Sequence, residues 1–285
     1  MVLKGGTALN LFRFDVPRLS VDIDLNYIGP VDREGMLADR PKIEQALHAV
    51  CGRVGVQPRR VPSDHAGGKW RLNFNRVSGG TSTFEMDVNF LLRTPLWPVE
   101  RVDSRPVGTF QATDIPVLDI HELAAGKLAA LLSRTASRDL FDASQLLRGG
   151  GLIAAKLRLA FVVYGGSSRK DWRTVSVGDV TVDAAEADTT LLPLLRGKET
   201  PRRNDLAQWT KTLAADCHEL LSMVLPLADR EREFLERLNG KGEILPEVLT
   251  DDHRLRDIIR THPGLLWKAL NVQKYRGTAT HGPSV

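Results

Sequence analysis

The sequence predicts an α+β fold: a mixed N-terminal half of strands and helices, then a mainly helical C-terminal half. Three observations predict it. Apolar residues alternate with polar ones at Leu19, Val21, Ile23 and Leu25, again around Trp70, Leu72 and Phe74, and again through Phe84, Met86, Val88 and Phe90. A period of two marks a half-buried strand. Apolar residues recur at helical spacing in 42–54, 118–132 and 138–147. After Gly149-Gly150-Gly151 helical runs predominate.

In chain order, 7–14 reads as a short helix start with Leu9, Leu11, Phe12 and Phe14 apolar. Val21 to Ile28 reads as a strand. Lys42 to Val54 reads as an amphipathic helix carrying Ile43, Ala46, Leu47 and Val50. The segment around Trp70 to Phe74 is a strand, Gly79-Gly80 a turn, and Thr83 to Phe90 the partner strand. Pro95, Pro98 and Pro106 interrupt any regular element after that strand. Leu118 to Leu132 is the clearest helix, with Asp119 as its cap and Glu122 placed as in a capping box. Arg138 to Leu147 is a second helix, and the three glycines stop it. This is the expected boundary between a domain over 1–148 and a second over 152–276. In the second, Leu152 to Tyr164, Thr210 to Leu227 and Arg230 to Leu238 read as helices. Thr174 to Val182 alternates weakly, and Leu191 to Leu195 is apolar. Residues 277–285 read as a disordered tail.

Composition narrows the class. A chain of 285 residues that is 42% hydrophobic and 26% charged is an ordinary globular protein. Cys51 and Cys217 cannot form a disulfide framework or a zinc site, and a reducing cytoplasm is expected. No run of about eighteen apolar residues stands in the chain, so no membrane helix is expected, and no signal peptide is visible. The net charge of +4 and pI near 9.2 permit a nucleic-acid partner. Basic residues gather at Arg59, Arg60, Lys69, Arg71 and Arg76; at Arg134 and Arg138; at Arg169, Lys170 and Arg173; and at Arg196, Lys198, Arg202 and Arg203. Such runs are usually solvated faces. No Gly-x-x-x-x-Gly-Lys-Ser/Thr loop is present, which excludes a P-loop enzyme.

The chemistry concentrates between Lys4 and Asp24. Gly5-Gly6 opens onto a helix-like run, and Asp22 and Asp24 come next at i and i+2 on an alternating strand. They stand side by side on its polar face. Adjacent carboxylates repel unless a cation lies between them, and a divalent ion such as Mg2+ takes a few carboxylates together with substrate phosphates. The glycines allow close backbone approach, and a helix start offers N–H groups to a phosphate. A phosphate cradle with a metal clamp points to phosphoryl or nucleotidyl transfer. A third acid would come from Phe84 to Phe90, where Glu85, Asp87 and Asn89 share one face. Lys127 sits among small and apolar neighbours; the pattern alone reads it as a surface lysine whose stem lies along its helix.

Taken together, Lys4-Gly5-Gly6-Thr7-Ala8-Leu9 and Arg18-x-Ser20-x-Asp22-Ile23-Asp24-Leu25 resemble the polymerase-beta superfamily of nucleotidyltransferases, and within it the AbiEii family of type IV toxin–antitoxin and abortive-infection toxins. Glu122-Leu123 to Lys127-Leu128 and Arg138-Asp139-Leu140-Phe141-Asp142 resemble two further motifs of that family. So do Leu192 to Arg196, Gly242 to Glu247 and His262 to Asn271, so that the likeness covers nearly the whole chain. The resemblance implies a polymerase-beta-like core, a small mixed sheet with flanking helices, and a helical C-terminal domain. It implies a Mg2+-dependent enzyme that moves NMP from an NTP to an acceptor hydroxyl, with the tRNA 3′ end as acceptor and a cognate antitoxin as partner. It chooses Asp87 over Glu85, so that Asp22, Asp24 and Asp87 hold the metal. It assigns Gly5, Gly6, Thr7, Arg18 and Ser20 to the nucleotide, Lys127 to the leaving phosphates, and Asp139 to orienting that lysine or the acceptor hydroxyl. Asp142 is expected to pair with Arg134 or Arg138. The chain opens directly on this segment, so a late start is expected. Two other functions fit the same residues: transfer to a small molecule of the aminoglycoside type, and a non-catalytic binding module on the same fold.

Overall fold

A computed structural model describes residues 1–61, 67–197 and 200–280, with side chains to residue 276. The chain divides into two compact units, Met1–Leu118 and Asp119–Val285. The Gly149–Gly151 run expected between domains lies inside the second. Lys198 and residues 281–285 lie outside the described residues.

The first unit is built on a seven-stranded mixed sheet with the order β3-β4-β5-β2-β1-β7-β6. Its strands are β1 (Val2–Lys4), β2 (Ile23–Asn26), β3 (Gln57–Val61), β4 (Gly68–Asn75), β5 (Thr81–Asn89), β6 (Glu100–Val102) and β7 (Ile115–Val117). β2 runs antiparallel to β1 and parallel to β5; β3-β4 and β4-β5 are antiparallel hairpins. Gly79 and Gly80, at φ +87° and +75°, make the β4-β5 turn, a backbone that side chains other than glycine avoid. α1 (Gly5–Thr7) follows β1 and continues as a π-helix, Ala8–Arg13.

The alternation in β2, β4 and β5 sorts the two sheet faces. Ile23, Leu25, Trp70, Leu72, Phe84, Met86 and Val88 gather with Met36, Ile43, Leu47 and Cys51 of α2 (Arg33–Arg53) in one core cluster. The residues between them, Asp24, Lys69, Arg71, Glu85 and Asp87, take the other face. α2 is longer than the expected 42–54. Asp32 caps it by accepting the Gly35 N–H at 2.7 Å, and Pro41 sits inside it.

The second unit is helical. It contains α3 (Ile120–Leu131), α4 (Ser137–Arg148), α5 (Ala154–Gly166), α6 (Ala184–Thr190), α7 (Leu206–Leu220), α8 (Asp229–Lys241), α9 (His253–Arg260) and α10 (Pro263–Thr280). α3 packs on α4 and α5, α4 on α7, and α8 on α10. Phe141, Phe161, Trp172 and Phe234 are fully buried. Gly165 makes room for Trp172, since a Cβ there would meet the indole at 2.0 Å. The weak alternation over 174–182 forms no strand; short 3-10 turns at Trp172–Thr174 and Val177–Asp179 replace it.

Candidate active site

Strand register brings two of the expected acids together. Asp24 of β2 stands directly beside Asp87 of β5 in the parallel ladder. Across β2 on its other side, Lys4 of β1 is the partner of Asp24, and across β5, Lys69 of β4 is the partner of Asp87. One row across the sheet therefore reads Lys4, Asp24, Asp87, Lys69. Asp87 is half-buried. Burial, joined by the charges of Asp24 and Glu85, pushes its carboxyl above the usual aspartate range, against the opposing pull of Lys4 and Lys69. A cation at this pair would relieve both the burial cost and the repulsion.

The glycine turn lies against the same pair. Gly5 adopts φ +72°, and a Cβ there would come within 2.1 Å of Asp24 Oδ2. No side chain caps the helical turn that starts at Gly5. The turn is tied to the loop before β2: Thr7 Oγ1 donates to the Asp22 carbonyl at 2.5 Å and lies 3.2 Å from Ser20 Oγ. The Gly6 carbonyl accepts Asn10 Nδ2 at 2.9 Å. Arg18 is buried and donates to the Leu19 carbonyl at 2.9 Å. In the same loop Val16 has φ +49°, a conformation that costs a β-branched residue energy and that gathers at functional sites.

Asp22 is held differently. Its Oδ1 accepts the backbone N–H of Glu85 at 3.0 Å. Glu85 itself is occupied by cations, Lys69 at 2.6 Å and Arg71 at 3.6 Å, and these hold its carboxyl below the usual range. Among the described residues no group of three or more His, Cys, Asp or Glu side chains gathers as a metal cage. The donor set is thus two adjoining carboxylates. That fits Mg2+, which is commonly held by one or two carboxylates and completed by substrate phosphates.

Lys127 and Asp139 belong to the second unit. Lys127 Nζ lies 2.9 Å from Asp139 Oδ1 and 3.0 Å from Asp142 Oδ2, and all three side chains are buried. Arg134 Nε adds a bond to Asp139 Oδ2 at 2.7 Å. Burial pulls the Lys127 ammonium down, but Asp142 and Asp139 outweigh it and hold it above the usual lysine range. Burial lifts Asp139, but Lys127 and Arg134 outweigh it and hold it below the usual range. Asp142 thus takes Lys127. At the start of α3, Asp119 Oδ1 accepts the His121 backbone N–H and faces His121 Nδ1, each at 2.8 Å. His121 Nε2 accepts the Ile153 N–H at 2.9 Å, which places the ring proton on Nδ1. Glu122 accepts the Tyr164 hydroxyl at 3.0 Å.

Sequence reasoning did not single out Lys4 and Lys69 as site residues. Each is local to a motif or a basic run, and only cross-strand register puts them beside Asp24 and Asp87.

Residues 1–240 match the family model of the nucleotidyl transferase AbiEii toxin of type IV toxin–antitoxin systems. Among solved structures, the chain is similar to MenT4, a nucleotidyltransferase toxin from Mycobacterium tuberculosis H37Rv. The identity is 17%, the match covers 93% of this chain and 84% of that one, and the TM-score is 0.54. At that identity the likeness speaks for the fold. No curated protein matches the sequence.

Proposed function

The chain belongs to the AbiEii family of nucleotidyltransferase toxins of type IV toxin–antitoxin systems, and from that premise we propose that it moves NMP from an NTP to the 3′-terminal hydroxyl of a tRNA with Mg2+ at Asp24 and Asp87. The observation that carries this reading is the register pair Asp24–Asp87 with Gly5 packed against it. Asp24 and Asp87 would hold the metal, while Asp22 ties β2 to β5 through the Glu85 N–H. When bound, the cation would neutralise phosphate oxygens and lower the cost of the charge that develops on them.

The chain's own residues supply the rest. Gly5, Gly6 and Thr7 form an uncapped helical start without side-chain bulk at its first two positions, suited to the phosphates of the nucleotide. Ser20 meets that turn through the Thr7 hydroxyl, and Arg18 braces the same loop before β2 by its bond to the Leu19 carbonyl. Lys4, the register partner of Asp24, sets a positive charge beside the carboxylate pair and opposes the upward push of burial on Asp87. The acceptor hydroxyl oxygen attacks the α-phosphorus and gives up its proton to water, the bond from the α-phosphorus to the oxygen bridging to the β-phosphate breaks, and pyrophosphate leaves. Lys127 is assigned as counter-charge to that leaving group and Asp139 as the residue that orients it, in line with the family's lysine and aspartate motifs. The family also implies an antitoxin as partner. No helix among the described residues is long and apolar enough to cross a membrane.

The test is incubation with Mg2+, total tRNA and each labelled NTP in turn, with Asp24→Ala as control. Labelled tRNA with at least one NTP, absent with the variant and with a chelator, supports the reading. A fully active Asp24→Ala protein, or label that never enters RNA, overturns it.

A further inference from the structure

The basic residues of β3 and β4 do not form one patch; register sorts them by sheet face. Arg60 stands opposite Trp70, which is in the core, and its guanidinium reaches Glu44 of α2 at 3.5 Å. Arg59, its neighbour along the strand, therefore faces the other way. It stands opposite Arg71, which stands opposite Glu85, and one row over Lys69 stands opposite Asp87. Arg59, Arg71 and Lys69 thus share the face of Asp24 and Asp87.

This lane is short of negative charge. Two arginines directly opposite on antiparallel strands repel. Lys69 and Arg71 both form ion pairs with Glu85, Lys69 also stands opposite Asp87, and Arg59 makes no ion pair among the described residues. The Arg71 side chain is 60% exposed, and Arg59 is exposed as well. The lane also has a definite side. β1, with Lys4 and the turn at Gly5, flanks β2; β4 flanks β5 at the opposite edge of the carboxylate pair, with β3 beyond it. Two facing guanidiniums about 5 Å apart at their backbones suit successive phosphates of one strand better than a lone anion.

We propose that a single-stranded RNA crosses β3 and β4, with its phosphates on Arg59 and Arg71 and its 3′ hydroxyl at Asp24 and Asp87, while the NTP occupies the Gly5 side. This rests on the RNA-acceptor reading above and gives it a direction across the sheet. The contact is electrostatic, so its signature is salt dependence. Each phosphate contact to a single strand contributes about 0.7 to the slope of log K against log salt.

The experiment is fluorescence anisotropy of the full chain with a labelled single-stranded RNA over a salt series, without NTP. Arg59→Ala/Arg71→Ala is expected to weaken binding at least tenfold at low salt and to flatten the slope by about 1.4. The Arg59→Lys/Arg71→Lys pair keeps the slope. Arg60→Ala, the same charge lost from the same strand on the other face, binds within twofold of the unaltered protein. Thermal melts confirm that each variant is folded. Absence of RNA binding by the unaltered chain, an unchanged slope in the double alanine variant, or an equal loss in Arg60→Ala overturns the lane. Binding is read without turnover. A failure of nucleotide transfer would therefore strike the function, while the binding series still decides the lane.

Discussion

Gly5 has φ +72°, and any Cβ there would stand 2.1 Å from Asp24 Oδ2, so backbone and neighbour both demand glycine. Gly5→Ala is expected to cost about 1–2 kcal/mol from the backbone alone and to cut transfer at least tenfold by displacing Asp24; a melt and a rate measurement check both. Asp24 and Asp87, like charges on neighbouring strands, cost the metal-free fold on the order of 0.2–1 kcal/mol. Asp87→Asn should therefore raise the metal-free melting temperature at neutral pH, while Mg2+ raises that of the unaltered protein and not that of Asp87→Asn. A lower metal-free melting temperature in Asp87→Asn would count against a strained carboxylate pair. Lys127 is the counterpart in the second unit. Lys127→Met takes the shared ammonium away from two buried carboxylates, Asp139 and Asp142, and should cost about 3–5 kcal/mol. The residues legible in the sequence were those whose meaning is local: Asp22 and Asp24 at a spacing of two, Gly5 at a turn. Lys4, Lys69 and the facing of Arg59 were not, because they depend on which strands pair and in which register.

Elements differ in legibility for the same reason. β4 and β5 are long enough, at 8 and 9 residues, to show their period. β1, β6 and β7 have 3 residues each and cannot show one. β3, Gln57-Pro58-Arg59-Arg60-Val61, is mostly polar because it is a sheet edge, and it read as a charge run. α2 starts at Arg33 rather than Lys42 because its cap is Asp32 and it tolerates Pro41, a residue that reads as a stop. The weak alternation over 174–182 gives way to turns because Asp171 and Asp179 accept local N–H groups, of Arg173 and Ser176, and tighten the chain. Asp119, by contrast, caps α3 as its sequence indicates, and it also fixes His121. Asp119→Ala should cost about 1–2 kcal/mol, measurable by denaturant melts. A cost near zero would mean that His121 is held by Ile153 alone.

For the whole molecule, the α+β class and the family follow from the N-terminal motifs and the helical second half; the mixed sheet with its helices bears out the class, and the match over 1–240 bears out the family. The pH dependence of stability has a definite sign. Asp139, held low, contributes stability above the ordinary aspartate value of 3.8 that is lost as pH falls through its folded value; Lys127, held high, contributes below 10.5 and loses it as pH rises through its own. The unaltered protein should therefore lose this contribution in acid. The deficit of Lys127→Met should shrink as pH falls from 7, since Asp139, without the lysine that helps to hold it low, can then protonate. The central claim is that Asp24 and Asp87 carry nucleotidyl transfer. Its most direct test is the single-turnover rate of labelled-nucleotide transfer to tRNA in Asp24→Asn, Asp87→Asn and Glu85→Gln under saturating Mg2+. A fall of about a thousandfold, near 4 kcal/mol, is expected in the first two, with Glu85→Gln within about tenfold of the unaltered protein. Full activity in Asp87→Asn with collapse in Glu85→Gln would contradict it.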